Sequence, residues 1–246
     1  MRFDIMTLFP ELVNNILDES IIGRAQKNGV IEVECHNIRD YSEDKHRRVD
    51  DTPYGGGKGM LMMAPPIYNC YSDILSKIPS GRKKVVIYMS PAGNVLTQQK
   101  AEELSKYDEM IILCGHYEGV DQRIIDEIID EEISIGDFVL TGGELPACIL
   151  VDCVSRLVEG VLSDSECHMK ESISSGLLEY PQYTRPFEFH GSSVPEILIS
   201  GHHENIDKWR LEKSIEITQK KRPDIYEKYK TNERGEGVEK ERKKDK

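Results

Sequence analysis

Hydrophobic positions along the first two thirds of the chain follow two different spacings. Continuous apolar runs, or strict alternation of apolar and polar residues, predict strands at residues 2–9, 31–35, 84–89 and 110–114. Apolar residues at helical spacing predict helices at residues 11–27, 67–78, 97–107, 120–129 and 144–161. Because strands that alternate with helices are typical of an α/β fold, we predict a mostly parallel sheet with helices on both faces.

The segment at residues 144–161 is the most apolar of the predicted helices. Asp152, Ser155, Arg156 and Glu159 are spaced to form a single polar stripe, and almost every other position is apolar. Such a helix has to be covered on most of its sides. Cover by a second subunit and burial in the core of one chain both satisfy this requirement.

Glycine-rich turns border two short apolar runs, at residues 110–114 and 138–140. These turns lie at residues 115–119, 134–137 and 141–146. Glycine lets a backbone adopt positive φ and come close to a flat ligand such as a purine. Since parallel sheets bind ligands at the carboxyl ends of their strands, we predict a pocket formed by these turns. The turns do not contain the G-x-G-x-x-G motif of dinucleotide-binding folds.

Composition divides the rest of the chain. Residues 162–175 lack apolar periodicity and are predicted to be a linker after a first domain at 1–161. Residues 176–231 are predicted to form a small, mainly helical domain, with helices near 205–221 and 223–231 and with Trp209 in its core. The charged residues 232–246 are predicted to be a disordered tail.

Charge and cysteine usage restrict the class of protein. The net charge is −12, but from residue 180 onward there are 15 Lys and Arg against 13 Asp and Glu, so a local nucleic-acid site is compatible with the total. The chain has no signal-peptide pattern and no membrane-spanning run, which predicts a cytoplasmic location. The six cysteines show no metal-ligand spacing and are predicted to be reduced thiols, so no metal site is assigned.

Several separated motifs resemble one family, the bacterial tRNA (guanine-N1)-methyltransferases. They include the segments at residues 50–60, 114–121, 133–146, 154–156 and 176–186, and the resemblance extends over roughly residues 1–222. It implies a knotted SPOUT methyltransferase with a deep trefoil knot in the C-terminal part of the sheet. The implied reaction is methylation of N1 of the guanosine immediately 3′ of the tRNA anticodon, with S-adenosyl-L-methionine as the methyl donor. The resemblance further implies Mg2+ dependence and a homodimer whose active site lies between subunits, with the C-terminal domain gripping the anticodon stem-loop.

The resemblance also implies site residues. The cofactor-binding residues would be Tyr88, Met89, Ser90, Pro91, Gly115, Tyr117, Glu118, Gly119, Ser134, Ile135, Gly136, Asp137, Phe138, Val139, Leu140, Gly142, Gly143 and Pro146. The RNA-binding residues would be Arg48, Asp50, Tyr54, Gly55, Gly56 and Gly57. Arg156 would be the catalytic cation, because a guanidinium stays charged and can stabilise negative charge that develops at O6 of the guanine.

The catalytic base is the position at which this chain departs from the family. The family carries Asp in the linker, and the corresponding residue here, aligned back from Gly176-Leu-Leu178, is Glu171. Glutamate keeps the carboxylate but adds one methylene, so its placement relative to the guanine differs. Two alternatives stay open from the sequence: an RNA-binding protein that has lost catalysis, and a knotted methyltransferase with another RNA target. The segments at residues 39–66 and 176–186 argue against the second alternative.

Overall fold

The structure, a computed structural model, describes residues 1–162, 172–173 and 176–231. The chain divides into two compact units, Met1–Asp164 and Ser165–Lys246. Most of the predicted linker and the whole predicted tail, residues 232–246, lie outside the described residues.

A five-stranded sheet forms the centre of the first unit. Its strands are β1 (Arg2–Thr7), β2 (Glu32–Asn37), β5 (Lys84–Val95), β6 (Glu109–Cys114) and β7 (Glu131–Ser134). They lie side by side in the order β2-β1-β6-β5-β7, and every neighbouring pair is parallel. A separate antiparallel pair, β3 (Asp50–Asp51) and β4 (Leu61–Met62), lies within the long polar segment at residues 39–66. The predicted parallel α/β sheet is confirmed.

Helices cover both faces of this sheet. The helices are α1 (Pro10–Leu17), α2 (Ser20–Lys27), α3 (Ala64–Lys77), α4 (Gln98–Leu104), α5 (Gln122–Ile128) and α6 (Glu144–Ser155). One buried cluster joins Ile5 and Ile112 of the strands to α1, α2, α4 and α6. A second cluster joins Ile111 and Leu113 to α3 and α5 on the opposite face. Successive residues of a strand point to opposite faces, so β6, buried throughout, serves both clusters.

Two of the predicted helices differ from the structure by more than one turn. The single helix predicted at 11–27 is two helices, because the chain turns at Asp18–Ser20 and Ser20 has a φ of 56°. Both helices bury apolar residues against the same face of the sheet, so the apolar spacing does not reveal the turn. The helix predicted to reach residue 161 ends at Ser155, with Arg156 as its C-cap.

Burial corrects two further expectations. Ser155 is fully buried, so residues 152–159 do not form a continuous polar stripe. His36 was expected on the polar side of β2, but it is buried and its Nε2 lies 2.7 Å from Asp4 Oδ1. Asp4, on the neighbouring strand β1, supplies a hydrogen-bond partner that the sequence of β2 alone does not indicate.

The second unit contains a hairpin and two helices. Strands β8 (Glu188–Phe189) and β9 (Ser192–Ser193) precede α7 (His203–Lys221), and residues 223–231 are also helical. Leu177, Ile206 and Thr218 are buried, and the Thr218 hydroxyl accepts a hydrogen bond from the Leu178 N–H at 2.8 Å. Trp209 is only half-buried, so Ile206 rather than Trp209 is the enclosed apolar residue of α7. No helix in the described part of the chain is long and apolar enough to cross a membrane.

Candidate cofactor site

A cavity of about 250 Å3 opens at the carboxyl ends of β6 and β7, beside the point where β5 stops pairing with β6. Three segments enclose it: the middle of β5 at residues 88–91, the turn after β6 at 115–119, and the connection from β7 into α6 at 133–146. Carboxyl ends of parallel strands lie at one edge of a sheet, which brings these distant segments together.

Backbone contacts hold the turns of this cavity against one another. The Gly143 N–H donates to the Gly115 carbonyl at 2.8 Å, and His116 pairs with Gly142 in an isolated antiparallel bridge. A Cβ on Gly143 would lie 2.8 Å from Cα of Cys114, and a Cβ on Gly142 would collide with Glu144 and His116. Both positions therefore require glycine because of close approach, since neither has positive φ.

The lining of the cavity combines backbone polar groups with exposed apolar side chains. Phe138, Val139 and Leu140 are 55%, 84% and 40% exposed, although all three are apolar. The Tyr88 ring closes one side, and its burial raises the pKa of its phenol. A flat ligand with an apolar body and a few polar edges would cover these side chains and hydrogen-bond to the turns.

Most of the predicted cofactor residues lie together in the structure. All of them except Asp137 line this single cavity. Ile133, His116 and Thr141 also line it but were not among the predicted residues. All three directly adjoin predicted positions, so their place in the sequence could have indicated them.

The predicted RNA-binding residues lie on the segment at residues 39–66, outside the cavity lining. Tyr54 is fully exposed, and Arg48 forms an exposed ion pair with Asp44 at 3.1 Å. Gly55, Gly56 and Gly57 all have positive φ. Backbone hydrogen bonds attach this segment to the turn that borders the cavity. The Met62 N–H donates to the Gly119 carbonyl, and the Met60 and Met62 carbonyls accept from the N–H groups of Glu118 and Asp121, respectively.

Of the two predicted catalytic residues, the structure describes only Arg156, which is not in the cavity lining. Arg156 caps the C-terminal end of α6, whereas Pro146 at the other end of α6 lines the cavity. Ten residues of helix separate them, which corresponds to about 15 Å. Glu171 lies outside the described residues.

A buried ionic cluster lies at the amino ends of the strands, away from the cavity. Arg2 contacts Asp4 at 2.8 Å and also reaches Glu34 and Glu109. Burial opposes ionisation of Asp4, but hydrogen bonds from His36 and Arg2 outweigh burial and lower the pKa of Asp4. Asp4, Glu34 and His36 are close enough together to hold an ion, but the Arg2 guanidinium already contacts both carboxylates. We therefore assign no metal to this cluster.

A cavity at the carboxyl ends of parallel strands, closed by glycine-rich turns, is typical of α/β domains that bind small ligands. Over residues 1–228 the chain matches the family tRNA (Guanine-1)-methyltransferase TrmD. It is 61% identical to the tRNA (guanine-N(1)-)-methyltransferase of Ruminiclostridium cellulolyticum over 93% of this chain and 97% of that protein. The enzyme of the same name from Lachnospira eligens is 57% identical over 93% of this chain and 96% of its own length. That of Clostridioides difficile is 54% identical over 93% of this chain and 98% of its own length. The chain belongs to the tRNA (guanine-1)-methyltransferase family.

Proposed function

We propose that this enzyme transfers a methyl group from S-adenosyl-L-methionine to N1 of the guanosine immediately 3′ of the anticodon in tRNA. Family membership establishes the class of reaction, which is methylation of N1 of a guanine in tRNA. The observation that supports a mechanism is the cavity between the turns at residues 115–119 and 133–146. A cytoplasmic location stays a prediction.

The cavity is compatible with the methyl donor. The close approach at Gly142 and Gly143 holds the segment at residues 141–146 against the turn after β6, and both segments line the cavity. Ser134, Gly136 and Leu140 would present backbone groups to the edge of the adenine, and Phe138 and Val139 would cover its face. When bound, the donor supplies an electrophilic methyl group, so the main task of the protein is to align the guanine N1 with that group. A role for Mg2+ stays an expectation from the resemblance.

The remaining chemistry concerns the guanine. Its N1 carries a proton at neutral pH, so a base has to remove that proton as the new bond forms. We assign this role to Glu171, and we assign stabilisation of the charge at O6 to Arg156. Arg156 lies about 15 Å along α6 from the cavity edge, beyond the reach of one side chain. This distance favours a site that is completed by a second copy of the chain.

An exposed apolar surface supports the homodimer. Leu12 and Ile16 of α1 and Leu145 and Ile149 of α6 are each 42–47% exposed, and both pairs are spaced four residues apart on helices that pack together. We call these four residues the α1/α6 surface. Contact with the same surface of a second chain would cover all four residues.

RNA recognition is assigned to two regions. In the first unit, Tyr54 and Arg48 project from a segment that is hydrogen-bonded to the cavity turn, so bound RNA would pass near the methyl donor. The exposed pair between Arg48 and Asp44 is weak and could exchange for a phosphate contact. In the second unit, Phe187 and Phe189 are exposed aromatic rings on which bases can stack. We assign residues 1–161 to the catalytic domain and 176–231 to the tRNA-binding domain.

The trefoil knot is a further part of the proposal. The bridge between His116 and Gly142, with the Gly143 to Gly115 hydrogen bond, keeps the segment after β7 against the segment after β6. Such close contact between two crossing segments is what a knotted cofactor site requires. Topological analysis of an experimental structure would test the knot independently of activity.

Methyl transfer to defined tRNA transcripts tests the proposed function. The purified chain is incubated with isotopically labelled S-adenosyl-L-methionine and two transcripts that differ only in guanosine or adenosine 3′ of the anticodon. We expect 1-methylguanosine at that position in the first transcript and no labelled product from the second. In the Glu171→Ala variant, methyl transfer should be lost while affinity for S-adenosylhomocysteine is retained. Methylation at another position, or near-normal turnover by that variant, would contradict the respective assignment.

A further inference from the structure

His116 is the side chain of the cavity lining that the proposed mechanism does not use. Its ring lies between Phe9 and Tyr117, with centroid distances of 5.1 and 4.8 Å. The Nδ1 atom is fully enclosed and has no hydrogen-bond partner among the described residues. His116 is half-buried and is one of the residues that line the cavity.

A buried carboxylate borders the same small space as this enclosed nitrogen. Glu144, the first residue of α6, is 5% exposed, and its Oε1 accepts a hydrogen bond from the Thr7 hydroxyl at 2.8 Å. The other oxygen, Oε2, borders the same small space beside Gly142 as Nδ1 of His116, because a Cβ at Gly142 would collide with both atoms. No ligand can reach Nδ1, since it is enclosed, but Glu144 can reach it directly or through one water.

This arrangement determines which ring nitrogen carries the proton. An ionised carboxylate only accepts hydrogen bonds, so the nitrogen that faces Glu144 has to be the donor. In a neutral imidazole the other nitrogen is then an acceptor, and the carboxylate thereby determines the tautomer. The Thr7 hydrogen bond holds Glu144 in place, which connects the end of β1 to the cavity.

We propose that Glu144 positions His116 as the Nδ1–H tautomer, so that Nε2 accepts a hydrogen bond from an N–H or O–H group of a purine nucleoside in the cavity. The proposal deepens the proposed function and rests on it, since the methyl donor and the target guanosine are both purine nucleosides. Either molecule could supply the N–H or O–H group that donates to Nε2. In both cases Glu144 is a positioning residue that acts through His116.

The tautomer is tested first, in the enzyme without ligands. Long-range 1H–15N correlation spectra of protein labelled at histidine distinguish the two ring nitrogens, and the His116→Gln spectrum assigns the signals among the seven histidines. We expect a protonated Nδ1 and an unprotonated Nε2 in the wild type. In Glu144→Gln this preference should be lost, whereas Glu102→Gln, an exposed control on α4, should leave the spectrum unchanged. A wild-type ring protonated at Nε2 alone would overturn the proposal even if Glu144→Gln failed to fold.

Binding measurements then identify which of the two ligands donates the hydrogen bond to Nε2 of His116. His116→Phe removes the acceptor, whereas His116→Gln keeps one. The first variant should weaken a binding step about tenfold, and the second should restore it to within about threefold. A weaker Kd for S-adenosylhomocysteine in calorimetry assigns the contact to the methyl donor, and a raised KM for tRNA with unchanged Kd assigns it to the target guanosine. No change in either quantity would refute the proposal. If the Nδ1–H tautomer is observed but the wild type fails to transfer methyl groups, the proposed function is refuted instead.

Discussion

The carboxyl group of Glu109 is expected to make the stability of the fold depend on pH. Glu109 begins β6, is 1% exposed, and lies beside Asp4 in the cluster at the amino ends of the strands. Burial and the neighbouring Asp4 carboxylate raise the pKa of Glu109 from 4.5 to about 7, against the attraction of Arg2 and Arg82. Its Oε1 lies 3.3 Å from Arg2 Nε but forms no hydrogen bond among the described residues, whereas a protonated Glu109 can donate to Asp4.

The direction of the pH effect follows from proton linkage. The folded protein holds the Glu109 proton more tightly than the unfolded chain, so stability falls as the pH rises from about 4.5 to about 7. The rise in pKa corresponds to roughly 3 kcal/mol at most. The lowered pKa of Asp4 adds stability only above the pKa of an unfolded Asp, and that stability is lost at more acidic pH than this window.

The Glu109→Gln variant isolates this effect. The amide keeps a hydrogen-bond donor for Asp4 but cannot lose a proton, so the variant should match the wild type near pH 5 and exceed it at pH 8. A difference of ~3 kcal/mol corresponds to roughly 6–12 °C in Tm for a domain of this size. Thermal melts at equal protein concentration from pH 5 to 8 measure the difference, with the exposed Glu102→Gln as the control. A variant that follows the wild-type curve throughout, or is less stable at pH 8, would refute the reasoning.

Two further predictions concern the cofactor cavity and the dimer. Gly142→Ala should weaken S-adenosylhomocysteine binding at least tenfold in calorimetry, because its Cβ collides with Glu144 and His116. The control Gly81→Ala strains a backbone with a φ of 88° but lies outside the cavity lining, so it should leave affinity unchanged. Equal affinities in the two variants would contradict the packing. Leu145→Glu combined with Ile149→Glu should convert a dimer into a monomer in size-exclusion light scattering, because two carboxylates cannot be buried in an apolar contact. Tyr68→Glu on α3 is the matched control, and a dimer that survives the double substitution would remove the α1/α6 surface from the interface.

Local sequence patterns determined most of the elements of this protein and their type, although β7 (Glu131–Ser134) was not among the predicted strands. Apolar runs at 84–89 and 110–114 predicted buried parallel strands because such strands are covered on both faces. Glycines at 142 and 143 indicated a place where backbone has to pass close to other groups, and the separated motifs indicated the family. The turn at Ser20 and the early end of α6 were not predicted, because apolar spacing continues across both breaks.

Only the tertiary structure decided which of these residues meet. It placed Asp4 beside His36 and Glu109 because β1 lies between β2 and β6, an order that is not encoded in any single strand. It likewise brought Glu144 to His116 across the cavity and set Arg156 at the far end of α6. The physical reason is that propensity and periodicity act over a few residues, whereas a polar contact depends on the path of the whole chain.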